Sequence, residues 1–100
     1  MNKPKMIEHV PPSDVFDGIE LDLYAELDNA EENFPEWPTD LAHGMAILGE
    51  EYGEAVKATV DFAFHDGSID DIREELVQLG AMVFRQIAMI DRIKSGEVES

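Results

Sequence analysis

Residues 68–94 read SIDDIREELVQLGAMVFRQIAMIDRIK, and their spacing decides the fold. Ile72, Leu76, Leu79, Val83, Ile87 and Ile90 recur every three or four residues, the period of an amphipathic helix. Ser68 is placed as an N-cap, with Asp70 and Asp71 set to meet the positive end of the helix dipole. Arg92 and Lys94 suit the last turns, and Gly96 ends the helix. Just upstream, His65-Asp66-Gly67 reads as a turn. Residues 41–64 predict a second helix, capped by Thr39 or Asp40, with Leu41, Leu48, Tyr52, Ala55, Thr59 and Phe62 as its packed stripe. Gly44, Gly49 and Gly53 weaken that helix by up to about 1 kcal/mol each relative to alanine. Close approach of a neighbouring helix is the expected reason for them. Phe34-Pro35-Glu36-Trp37-Pro38 is a break, because its prolines cannot continue a helix. Phe34 and Trp37 are expected to pack back on the bundle. A first helix is expected from Asp14 to about Asn33, capped by Ser13. Phe16, Ile19, Leu23, Leu27 and Ala30 form its stripe, with Asp17, Glu20, Glu26 and Asp28 mostly elsewhere. Residues 1–12 read as an arm ahead of one helical domain over residues 13–95. No segment sustains period-two alternation. The expected fold class is all-α: an antiparallel helical bundle of three helices, completed by oligomerisation across a two-fold axis.

Composition narrows the chemistry. The chain has 100 residues and 44% hydrophobic content, enough for one domain with a modest core. It has no cysteine, which excludes disulfides and thiolate zinc sites, and three histidines leave little scope for a histidine-based metal site. Any metal held here must be hard and oxygen-liganded, which points to Mg2+, with Mn2+ as the alternative. The net charge of -16 argues against nucleic acid as a partner and against an anionic membrane surface. No apolar run is long enough to serve as a signal peptide or a membrane span, so the expected location is cytoplasmic.

The stretch Gly49-Glu50-Glu51-Tyr52-Gly53-Glu54 carries the candidate chemistry. At about 100° per residue, Glu54 projects between Glu50 and Glu51 on one arc of the helix. His43 extends that face upstream and Asp61 continues it downstream. Like charges at this spacing destabilise a helix unless they splay into water or surround a cation. On the third helix Asp71, Glu75, Gln78, Met82 and Arg85 share a face. Glu75 and Gln78 repeat the spacing of Glu51 and Glu54, so two antiparallel helices can bring both pairs to one or two divalent ions. A solvated acidic surface is the alternative, since 23 acids produce such pairs by chance.

These residues resemble the MazG-like, all-alpha nucleoside triphosphate pyrophosphohydrolases. The family carries Glu-x-x-Glu on one helix and Glu-x-x-Asp on the next. Glu51-Tyr-Gly-Glu54, preceded by Glu50, matches the first pair. Glu75-Leu-Val-Gln78 takes the second slot, with Gln78 where the family has aspartate. The resemblance covers residues 37–90. It implies a magnesium-dependent enzyme that splits a nucleoside triphosphate into the monophosphate and pyrophosphate. By resemblance Glu51, Glu54 and Glu75 bind the metal with Gln78 as fourth ligand. Glu50 is either a further ligand or the group that orients or activates the attacking water. Gln78 lowers the negative charge of the site by one; it either ligates weakly or contacts a phosphate or water, and Asp71 is placed to supply a carboxylate. His43, Lys57, Gln78 and Arg85 are the candidate substrate contacts. The plainer roles are a packing histidine for His43 and a surface salt bridge for Arg85. The expected assembly is a homodimer or homotetramer. The rival expectations are a non-catalytic nucleotide-binding protein and an acidic protein-interaction module.

Overall fold

The computed structural model describes residues 12–99, in three helices: α1 (Pro12–Asn33), α2 (Leu41–Phe64) and α3 (Ile69–Lys94). The expected all-α, three-helix architecture is present. The arm expected over residues 1–12 lies outside the described residues as far as residue 11. Pro12 is already helical, so α1 starts before the expected Asp14, and Ser13 falls inside the helix instead of capping it. A proline suits the first helical position, where its missing N–H removes a donor that would have no intrahelical partner.

The other boundaries follow from local chemistry. The carboxylate of Asp40 accepts from the backbone N–H of Ala42 at 2.9 Å and of His43 at 3.4 Å, which starts α2. The hydroxyl of Ser68 accepts from Asp70 N–H at 3.0 Å and starts α3. At the far end, Gly96 has φ 82°, a left-handed conformation that costs a glycine nothing. That conformation lets Glu97 N–H reach Arg92 O and Gly96 N–H reach Ile93 O, satisfying carbonyls the helix would leave open.

Both α1 and α2 pack on α3, and they do not pack on each other. On one flank Leu23 of α1 sits over Gly80, Tyr24 meets Phe84 edge-on with ring centroids 6.0 Å apart, and Asp22 pairs with Arg73 at 2.8 Å. These contacts advance together along both chains, so α1 and α3 run parallel. On the other flank Gly44 of α2 lies against Gln86, near the opposite end of α3, so α2 runs antiparallel to α3. The result is a three-helix bundle in which α3 packs against both other helices.

The segment between α1 and α2 is tied down by two adjacent residues of α3. Gln86 is buried; its side-chain oxygen accepts from Trp37 Nε1 at 2.9 Å and its amide donates to Leu41 O at 3.0 Å. Arg85, also buried, donates to the carbonyls of Phe34 and Glu36, and its guanidinium lies 4.9 Å from the centre of the Trp37 ring. Trp37 packs back as expected. Phe34 does not, at 71% exposed.

Periodicity found the helices but overestimated what they bury. The buried hydrophobic residues are Ala30, Ala55, Ala81 and Met89. Several side chains expected in the core are exposed, among them Phe16, Tyr52, Leu76 and Ile87. The described parts of the three helices leave these side chains largely uncovered. The glycine expectation holds for Gly44 alone, while Gly49 and Gly53 have open space beside them.

A Cβ at Gly44 would stand 2.0 Å from the side-chain oxygen of Gln86, which is committed to Trp37. Gly44→Ala is expected to lower stability by about 1–3 kcal/mol, through overpacking and disruption of that bond. Gly18→Ala, with nothing within 4 Å, is expected to raise it by about 0.5–1 kcal/mol. Urea unfolding of both variants checks the pair; equal effects would show that the Gly44–Gln86 contact does not restrain the fold.

Candidate functional site

Where α1 and α2 diverge over α3, they leave a cavity of about 470 Å3. Ile47, Met82, Phe34 and Trp37 give it apolar and aromatic walls. Glu26 and Asn29 from α1, Glu51 from α2 and Gln78 from α3 add polar groups. Flat aromatic surface beside a few hydrogen-bonding groups is the usual composition of a small-molecule site.

The acids around Glu51 crowd one another. The Glu51 carboxyl is held above its ordinary value of 4.5, first by burial and then by Glu75, Glu54, Glu26 and Glu50. Glu75 is raised in the same direction, by burial and then by Glu54, Glu74 and Asp71. The two helices therefore bring Glu51, Glu54 and Glu75 within electrostatic reach of one another. Gln78 shares the cavity with Glu51, and Asp71 lies near enough to Glu75 to act on its charge. Among the described residues, however, no three His, Asp or Glu side chains are arranged so that they could hold a metal ion.

The remaining expected residues divide. Glu50 and Glu54 are exposed and do not line the cavity. His43 and Lys57 are exposed and do not line it. Arg85 lines it, but its guanidinium is buried against the carbonyls of Phe34 and Glu36, so it is not the surface salt bridge expected as its plainer role.

Glu26 is the residue that sequence reasoning placed elsewhere. It is half-buried, lines the cavity and raises the Glu51 carboxyl. Its signal lay in the register: it falls three residues after Leu23 and four before Ala30, on the packed side of α1. An acid inside an apolar stripe marks a helix face that is only partly covered.

No protein-family model, curated protein or solved structure matches this chain.

Crowded carboxylates make stability depend on pH. Because the folded-state value of Glu51 is raised, the folded chain binds that proton more tightly than the unfolded chain. Stability therefore falls as pH rises from the ordinary glutamate value through the raised one, and the penalty is fully present at neutral pH. Glu51→Gln keeps the shape and removes the charge. Without divalent metal it is expected to raise the thermal midpoint at neutral pH and flatten its dependence over the mildly acidic range. Thermal unfolding from acid to neutral pH checks this, and a lower midpoint for the variant would contradict the crowding.

Proposed function

We propose that the protein is a MazG-like nucleoside triphosphate pyrophosphohydrolase, working with magnesium in the cytoplasm as a homodimer or homotetramer. The observation that carries the proposal is a cavity with aromatic and apolar walls lined by Glu51, whose carboxyl feels the charges of Glu54 and Glu75. A nucleobase suits the walls around Trp37, Phe34 and Met82, and Asn29 and Gln78 offer donors and acceptors for its edge. The triphosphate then extends toward the acids.

An anionic triphosphate is repelled by these glutamates, so a cation is required for the two to meet. The donors suit magnesium in kind, being hard oxygens whose mutual repulsion a divalent ion relieves. Magnesium usually takes only one or two protein carboxylates, with waters and substrate phosphates completing its shell. A site with no preassembled group of three ligands is compatible with metal arriving on the substrate. Glu51, Glu54 and Glu75, with the oxygen of Gln78, are the residues that would hold it. When bound, the ion offsets the charge that accumulates on the phosphate chain.

The chain's own groups supply the rest. Water attacks the α-phosphorus, the bond from that phosphorus to the bridging oxygen breaks, and pyrophosphate leaves. Glu50, exposed at the edge of the cluster, orients the water and accepts its proton. The buried Arg85 and Gln86 hold the Trp37 segment in place as a wall of the base pocket.

Gln78 favours the second reading, nucleotide binding without hydrolysis, because its amide is neutral and weakens metal affinity. A panel of standard and modified nucleoside triphosphates, assayed for pyrophosphate release with and without magnesium, separates the two. Magnesium-dependent release that falls at least about 100-fold in Glu54→Gln is the expected result, with a lower magnesium requirement in Gln78→Asp. Nucleotide binding with no release from any member of the panel, with manganese also tried, would establish the second reading and overturn the first.

A further inference from the structure

A second cavity, of about 540 Å3, is lined by the end of α1, the segment after it and α3, with no residue of α2. Leu27, Trp37, Phe84 and Met89 give it apolar surface, and Arg85 and Arg92 bring to it two of the chain's seven basic residues. Seven residues apart on α3, the two arginines stand on one face of the helix, about 10 Å apart along its axis. Arg85 is 6% exposed. Among the described residues the one ion pair is Arg73 with Asp22, so the buried charge of Arg85 has no carboxylate partner there. Its Nη2 donates to the carbonyls of Phe34 and Glu36, while Nη1 makes no hydrogen bond among the described residues. Nε has no acceptor either, and of these two unbonded nitrogens it alone is sealed from solvent. A guanidinium has five N–H donors, and a buried charge left short of acceptors and of a counter-ion is costly.

We propose that this second cavity binds a small organic carboxylate, its charge held by Arg85 and Arg92 and its apolar body against Trp37 and Met89. Three observations choose that chemistry. The first is the pair of arginines. The cavity beside Glu51 is also lined by Arg85, but it adds Glu26 and Glu51 and no other basic residue, so an anion is better placed beside Arg92. The second is the wall: its volume and apolar side chains suit a small molecule with an apolar body, and an oxygen anion supplies the acceptors that Arg85 lacks. The third is charge. Glu31 and Glu36 also line the cavity, both exposed, and the chain carries a net charge of -16. That field repels a multiply charged phosphate more than a singly charged carboxylate. Because Trp37 and Arg85 line both cavities, a carboxylate held here also fixes one wall of the other. The assignment rests on the unpaired Arg85 and not on what occupies the cavity beside Glu51.

An NMR titration of the isotopically labelled full chain with phenylacetate, without nucleotide or divalent metal, tests the site. The expected result is a saturable shift of the Trp37 indole N–H and of the backbone amides of Ala88, Met89 and Arg92, with a rise in the thermal midpoint. Phenylacetamide, which has the same shape and no charge, should bind at least about 10-fold more weakly. Arg85→Gln would also release the Trp37 segment, so the exposed Arg92 carries the mutational test. Arg92→Glu should weaken phenylacetate at least about 10-fold, and Arg92→Gln should weaken it in the same direction, with helical content retained in both. No saturable shift at millimolar phenylacetate overturns the proposal. So does equal binding of the amide, unchanged affinity in both Arg92 variants, or shifts centred on Ile47, Glu51 and Gln78. No nucleotide enters these measurements, so their failure would leave the assignment of the other cavity standing.

Discussion

Two helices share one wall. In this three-helix bundle α1 and α2 each pack on α3 rather than on each other, which leaves the gap between them open. On one side the gap between α1 and α2 becomes a cavity floored by Gln78, Met82 and Arg85. Elsewhere α2 and α3 expose apolar side chains, among them Tyr52, Leu76 and Ile87. The same packing choice thus generates the candidate site. It also explains why the buried hydrophobic residues are three alanines and a methionine. Small side chains let helices approach closely, but they bury little apolar area and contribute little stability.

The cavity depends on a polar knot. Arg85 and Gln86 are buried charged and polar groups, costly unless their hydrogen bonds are satisfied. They meet part of that cost by bonding the segment between α1 and α2, through the indole N–H of Trp37 and the carbonyls of Phe34, Glu36 and Leu41, while the Nε of Arg85 is buried without a partner among the described residues. The loop is thereby a wall of defined position, not a tether. Gly44 belongs to this knot, since only a residue without a side chain leaves room for Gln86.

Much of this fold was legible in the sequence, and for local reasons. Proline, the caps Asp40 and Ser68, and Gly96 act within a turn or two of where they stand, so α2 and α3 lie where their signals put them. The i,i+3 spacing of Glu51 with Glu54 puts both on neighbouring positions of α2, and their charges, with that of Glu75 on α3, act on one another. Periodicity shows that a helix has an apolar face but not which neighbour covers it. Tyr52, Leu76 and Ile87 therefore read as core although the described residues leave each more than half exposed. Gln86 carried no local signal at all, because its partners Trp37 and Leu41 lie 49 and 45 residues away. Glu26 was hidden by the opposite bias, that an acid on a helix belongs to the solvent side.

The central claim is that the cavity and the crowded glutamates act as one nucleotide site. The most direct measurement is an NMR titration of the protein with a non-hydrolysable nucleoside triphosphate analogue, with and without magnesium. If the claim holds, the indole N–H of Trp37 and the backbone amides of Ile47, Glu51 and Gln78 shift together, and only when nucleotide and magnesium are both present. Saturating amounts of both that leave these resonances unmoved, or that move only residues outside the cavity, would contradict it.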